Sequence, residues 1–195
     1  MFSDSKDLDG MRKAGRLTAQ TFEALDSFIK AGISTAQIDE FCEDYIVNSL
    51  KARPASKGQY DYPFSVNTSP NHVVCHGMPN PQKILKSGDI LNVDITVEKD
   101  GYFGDSSKMY LVGEVSAPAK RLVNITQDCL YKAIACIKPG ITLGDIGHTI
   151  QTHAEKITIV LSESIVAMVL AKPCTKIRKF SITETLAKAS FLKQV

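Results

Sequence analysis

Apolar side chains recur at helical spacing between about Lys6 and Lys30, through Met11, Ala14, Leu17, Phe22, Leu25 and Ile29. That spacing puts them on one stripe of a first helix, and Gly32 just past its end supplies a stop. Ser34 or Thr35 can cap a second helix to about Leu50, with Ile38, Phe41, Cys42, Tyr45 and Ile46 on its inner face. From Arg53 to Pro81 the period dissolves into a Pro- and Asn-rich stretch with short extended pieces such as VVCHG (73–77). A long irregular segment inside a compact domain is usually functional or disordered.

The clearest local signal follows in KSGDILNVDITVEKDGYFGDSSKMYLVG (86–113). Two β-rich runs surround Lys99-Asp100-Gly101, which predicts a hairpin. Ala117 to Ile137 reads as a third helix, ended by Lys138-Pro139-Gly140, and Thr142 caps a fourth to about Lys156. Helix, helix, hairpin, helix, helix predicts an α+β class, with helices segregated against an antiparallel sheet. No internal repeat or low-complexity tract interrupts this order.

Composition narrows the picture. The 195 residues suffice for one domain with a real core, or for most of a larger one. A net charge of +2 gives no reason to invoke nucleic acid or an anionic membrane. Five cysteines, an odd number without a C-x-x-C pair, argue against a disulfide framework or a zinc ribbon. The first residues carry no signal-peptide pattern, and the apolar run 157–170 is too short and too polar to span a bilayer. The expected location is the cytoplasm.

Candidate chemistry centres on the hairpin. Asp94 interrupts the apolar run Ile90–Val97, where an uncompensated carboxylate is costly and wants a cation or several donors. If the turn is Lys99-Asp100, Asp94 faces Asp105 directly. If it is Asp100-Gly101, Asp94 faces Ser107 and Asp105 becomes its diagonal neighbour. Either register keeps both carboxylates on one side, within roughly 5–8 Å. Such a pair repels unless one member is protonated or a metal lies between them. The competing reading makes both aspartates water-exposed strand-end residues. His76, in the extended piece before a Gly-Met-Pro turn, is either a structural imidazole or a site residue. Cys75 lacks a placed His or Asn partner and reads as a buried small residue. His148 and His153, five apart, suit joint ligation poorly and read as solvated helix residues.

Three successive segments give these candidates a context. NHVVCHGMP (71–79), the hairpin segment and KPGITLGDIGHTIQTHAEK (138–156) together resemble type I methionine aminopeptidase, in order and spacing, over roughly residues 4–156. The resemblance implies the pita-bread (creatinase/aminopeptidase) fold, of which residues 1–156 would be the N-terminal part. It also implies two divalent ions, held in part by Asp94 and Asp105, with Asp105 bridging them. Hard oxygen ligands with an imidazole suit manganese, iron or cobalt without choosing among them. By the same resemblance His76 contacts the substrate near its scissile amide and is the catalytic imidazole. Cys75, Tyr62 and Tyr60 would line the pocket for a methionine side chain. Asn67 stands where many relatives carry cysteine. The implied substrates are the N-termini of nascent polypeptides at the ribosome, processed by a monomer that uses neither nucleic acid nor membrane.

Beyond Lys156 the sequence leaves the pattern. The resemblance implies three further ligands, a histidine in a Cys-Gly-His-Gly turn and two distant glutamates, and residues 157–195 show none of them. They carry six Lys/Arg against Glu163 and Glu184, whereas the preceding residues are net acidic. The expected cause is a changed reading frame, against the alternative of an evolved C-terminal extension or an alternative isoform. The genetic code permits ATT GTG GCC ATG GTA for Ile165 to Val169, and that choice of codons, read two bases later, gives Cys-Gly-His-Gly. The chain is therefore expected to be a truncated methionine aminopeptidase, two ligands out of five, that is inactive as it stands. Two alternatives are a non-catalytic pita-bread fragment or pseudogene product, and a pita-bread peptidase acting next to proline.

Overall fold

The computed structural model describes residues 5–157, 166–169 and 178–181. They divide into two compact units, Met1–Ser116 and Ala117–Val195.

The first unit is built on a long hairpin. Strand β3 (Ile90–Lys99) and strand β4 (Tyr102–Leu111) pair antiparallel with Lys99 opposite Tyr102. The turn is thus Asp100-Gly101, with φ of +56° and +82°. Two consecutive positive φ values make the tight turn whose twist matches the strands, and Asp-Gly is a favoured pair for it. This settles the register: Asp94 lies opposite Ser107, and Thr96 opposite Asp105. Short strand β1 (Arg53–Pro54) and strand β2 (Val66–Pro70) pair antiparallel with the other edge of β3. The Pro- and Asn-rich stretch is therefore not wholly irregular. Its second strand escaped the sequence reading because VNTSP has no apolar alternation, and VVCHG, read as extended, forms no strand.

The pleat separates two faces. Leu91, Val93, Ile95 and Val97 are fully buried on one face, and Asn92, Asp94 and Thr96 occupy the other. Helix α1 (Ser5–Asp26) packs on the buried face. Gly104 permits this approach: a Cβ there would lie 2.5 Å from the Ala14 backbone, and the Thr18 hydroxyl hydrogen-bonds to the Gly104 carbonyl at 2.9 Å. Helix α1 stops at Asp26, a turn before the expected Lys30, while Phe28 and Ile29 still pack against the core.

Helix α2 (Thr35–Asp44) starts as expected. Ser34 Oγ accepts from the Gln37 amide at 3.2 Å, and Gln37 Oε1 accepts from the Ser34 amide at 2.8 Å. This reciprocal cap satisfies two orphan donors of the first turn. The helix widens into a π turn over Tyr45–Ser49 before Leu50. Ile38, Cys42 and Ile46 join Phe22, Leu25, Val66 and the odd residues of β3 in one core.

In the second unit, helix α3 (Ala117–Ala135) packs on helix α4 (Leu143–Lys156) through Ile125, Cys129, Ile150 and Ala154. Thr142 caps α4 as expected, in a reciprocal pair with Asp145. Strands β5 (Val166–Val169) and β6 (Arg178–Ser181) pair antiparallel. They belong to the segment read above as out of frame, and its remaining residues, 158–165, 170–177 and 182–195, lie outside the described ones. No described helix is long and apolar enough to cross a membrane.

Candidate metal centre

Both aspartates come from the hairpin face opposite α1. Asp94 sits mid-strand on β3, and Asp105 lies diagonally from it on β4. Each carboxyl has a neutral partner from the strand beside it. The Thr96 hydroxyl donates to Asp105 Oδ1 at 2.9 Å, and the Asn67 side chain hydrogen-bonds to Asp94. Asn67 stands directly opposite Asp94 across the β2–β3 ladder.

Both carboxyls hold protons above the usual carboxylate range. For Asp94 the pKa rises to about 6, first through burial and then through the charge of Asp105, against opposing contributions from His76 and the Asn67 hydrogen bond. Asp105 is also raised, by burial, although its Thr96 partner pulls the other way and its residue is exposed at the surface. Thr96, rather than a charge, is what favours ionised Asp105. Two carboxyls that resist ionising side by side form a site to which a cation adds missing charge. Two carboxylates are oxygen donors of the kind that hard divalent ions take. Among the described residues, however, no three His, Cys, Asp or Glu side chains form a group that could hold one.

His76 reaches the neighbourhood through the loop after β2. Gly77 lies against that strand: its carbonyl accepts from the Thr68 amide at 2.8 Å, and its own amide donates to Ser69 Oγ at 3.1 Å. A Cβ at Gly77 would fall 2.1 Å from the Thr68 carbonyl oxygen, so only glycine fits. His76 itself takes φ of +55°, unusual for a side-chain-bearing residue, and is exposed, near enough to Asp94 for its charge to be felt there. Tyr62 is half-buried below the loop. Its hydroxyl donates to the Val66 carbonyl at 3.0 Å, with the Gly77 carbonyl at 3.5 Å, and burial, with Asp39 and Asp94 nearby, pushes its pKa up to about 12.

Other candidates are placed differently. Cys75 is exposed, not buried as its residue type suggested, because the loop turns it outward with His76. Tyr60 is 85% exposed, with φ of +51°. His148 is exposed on α4, with Thr152 Oγ1 3.4 Å from its Nε2. His153 is half-buried instead of fully solvated: its Nε2 is shut off from solvent without a hydrogen-bond partner among the described residues.

One contributor escaped the sequence reading altogether. Asp39, between Ile38 and Phe41, is buried, and its Oδ1 accepts from the Ser65 amide at 2.8 Å and the Val66 amide at 3.0 Å. It pins the start of β2, the strand that carries Asn67. A polar residue within an apolar helical stripe, facing an unpaired strand end, was the available signal.

The sequence profile of metallopeptidase family M24 matches residues 9–177, past Lys156 and into the segment read as out of frame. A methionine aminopeptidase of Escherichia coli K12 is 49% identical over 150 residues, 77% of this chain and 57% of that protein. One of Rickettsia prowazekii is 46% identical over 151 residues, covering 77% and 58%. The chain thus spans somewhat over half the length of these relatives. The crystal structure of the Rickettsia prowazekii methionine aminopeptidase superposes with a TM-score of 0.81 at 41% identity, covering 87% of this chain and 68% of that one. The methionine aminopeptidase of Thermotoga maritima gives 0.85 at 31% identity, covering 93% and 73%. An Xaa-Pro dipeptidase from Bacillus anthracis, at 19% identity and a TM-score of 0.69, shares the fold.

Proposed function

The chain belongs to metallopeptidase family M24, and from that premise we propose that its hairpin face serves an aminopeptidase that removes the initiator methionine from nascent proteins. The observation that carries this reading is the diagonal pair Asp94 and Asp105, both reluctant to ionise, on the face to which the loop brings His76. The likeness to methionine aminopeptidases supports the substrate.

In this reading Asp94 and Asp105 would hold divalent metal, which would supply charge to polarise a peptide carbonyl and acidify water. His76 donates a hydrogen bond to the charge that develops on the substrate, from a loop fixed by Gly77. Tyr62 supports that loop through its hydroxyl, and Cys75 and Tyr60 would line the pocket for the methionine side chain. The substrate's terminal amine meets a face whose charge is negative once the aspartates ionise. The compartment is the cytoplasm and the working form a monomer.

A second reading has a specific observation behind it. Because no described group of three side chains could hold a metal, the chain can instead be a non-catalytic member of the family. For residues 157–195 the proposal is a changed reading frame, which sequencing the gene across codons 150 to 170 tests directly. Hydrolysis of Met-Ala-Ser and an X-Pro peptide, with Mn²⁺ or Co²⁺ added, tests the substrate, and clear turnover of either overturns the non-catalytic reading. The two-aspartate site predicts little turnover of either by this chain. Turnover of Met-Ala-Ser that is lost in Asp105→Ala would show that further ligands complete the site. Preference for X-Pro would overturn the substrate.

A further inference from the structure

The loop between β1 and β2 is gathered at its neck by one carboxylate. Glu43, on α2, takes Lys57 Nζ on both oxygens, at 2.6 and 2.8 Å, and the Ser65 hydroxyl on Oε2 at 3.0 Å. Lys57 and Ser65 are the two ends of the loop, and a compact loop with its ends together packs on itself. The ends are held unequally. On the Ser65 side the buried Asp39 carboxylate also takes the amides of Ser65 and Val66. Tyr62 adds to that side, with its hydroxyl on the Val66 carbonyl at 3.0 Å and its ring edge-on to Phe64, 5.8 Å between centroids. The Lys57 side rests on the ion pair, whose side chains are 44% and 38% exposed, so water and salt reach it. Between the two ends the backbone is left-handed at Gly58, Tyr60 and Asp61, with φ of +83°, +51° and +60°. Glycine takes this conformation freely, whereas a tyrosine and an aspartate hold it at a cost that surrounding contacts must offset. Tyr60, 85% exposed, supplies little of that offset.

We propose that residues 57–61 form a flap, latched shut by Lys57 on Glu43, that swings on the anchored segment from Tyr62 to Val66. Opening breaks the bonds of the Gly58 amide to the Tyr62 carbonyl (2.8 Å), the Gln59 amide to Ser56 (3.1 Å) and the Tyr62 amide to Gln59 (3.0 Å). The two amides on Asp39 stay paired, and the Ala55 amide on the Thr96 carbonyl at 2.8 Å holds the other root. The proposed function gives Tyr60 and Tyr62 to the methionine pocket, so the flap would set when that wall is formed. That consequence rests on the proposed function, whereas the latch needs neither metal nor turnover.

The test is amide hydrogen exchange of the whole chain by NMR, at low salt and in about 1 M NaCl. Lys57→Met removes the charge and keeps the stem. Gly58, Gln59 and Tyr62 should exchange about two- to fivefold faster in this variant, the scale of losing one half-exposed ion pair. Ser65 and Val66 should be unaffected and the urea midpoint little altered. Salt should speed the same three amides in the parent and do nothing further in the variant. In a Glu43→Gln background Lys57→Met should add nothing, because the partner charge is already gone. Unchanged exchange in Lys57→Met overturns the latch, as does parent exchange that ignores salt or an effect of Lys57→Met that persists in Glu43→Gln. Ser65 and Val66 accelerating in step with Gly58, or a urea midpoint that falls in step, overturns the flap, because the loop then opens only with β2 or with the whole unit.

Discussion

The cost of two neighbouring carboxyls can be read at Asp94. Its pKa is about 6 in the fold against a reference of 3.8, so the folded chain binds its proton more tightly than the unfolded chain. A raised pKa contributes stability that is fully present below about pH 4 and is lost as pH rises through about 6. Metal-free protein should therefore lose stability across that window, by at most about 3 kcal/mol from this residue. Asp94→Asn should flatten the profile and be the more stable protein at pH 7.5, as urea midpoints at several pH values would show. Asp39 and Asp105 are raised too and act in the same direction, so the difference between parent and variant isolates Asp94. A profile unchanged by the substitution would mean that Asp94 is not strained. Asp39 poses the opposite case: burial raises its pKa, yet two amides depend on it. Asp39→Ala leaves two buried N–H groups unpaired and should cost about 2–4 kcal/mol in urea unfolding. Asp39→Asn, which can keep one acceptor oxygen in place, should cost less.

Among the elements, the hairpin was the most legible part of the sequence and β2 the least. Asp-Gly between β-rich runs specifies its own turn, and the alternation in ILNVDITV assigns its own faces. That alternation puts Asp94 and Asp105 together on one face. What it left open was the register, because one residue in the turn changes which pair is direct and which diagonal. The φ values of Asp100 and Gly101 resolve that. Strand β2 was hidden because its strand character comes from the ladder to β3 and the Asp39 clamp, which its own sequence does not display. The helix caps at Ser34 and Thr142 were legible because both partners lie within three residues. Close packing of α1 on β4 was not, since Gly104 reads as an ordinary strand glycine until Ala14 is seen against it. Gly104→Ala should push the helix off the sheet or distort the strand, at a cost of about 2 kcal/mol or more. Gly15→Ala, on the same helix with open space around it, is the control and should be neutral or slightly stabilising. Equal stabilities for the two variants would show that the contact yields more easily than the distances suggest.

At the scale of the whole chain, the two units are unequally built. The first buries Phe22, Leu25, Ile38, Ile46, Leu85 and the odd residues of β3 in one core. Among its described residues, the second buries Ile125, Cys129 and Ala154 in its core cluster and packs Ile150 and Ile157 against them. Along α3, Leu130, Tyr131, Ile134 and, just beyond, Ile137 are each more than half exposed. A helical pair that buries so little apolar surface gains little against the conformational entropy of ordering it. Local opening should therefore cost less in the second unit than in the first, making the chain a composite of a firm part and a weak one. Native-state hydrogen exchange is the measurement. Amides of Leu91 to Val97 and the middle of α1 should exchange only through the largest opening, and those of α3 and α4 through a smaller one. Replacing Leu130 and Ile134 together by lysine removes exposed apolar surface without touching the Ile125–Cys129–Ala154 contacts. It should therefore leave the exchange of α4 nearly unchanged while reducing any concentration-dependent association. Amides in α4 as slow as those in β3 would show that something beyond these contacts secures the second unit, and the exposed stripe on α3 would be the first place to look for it.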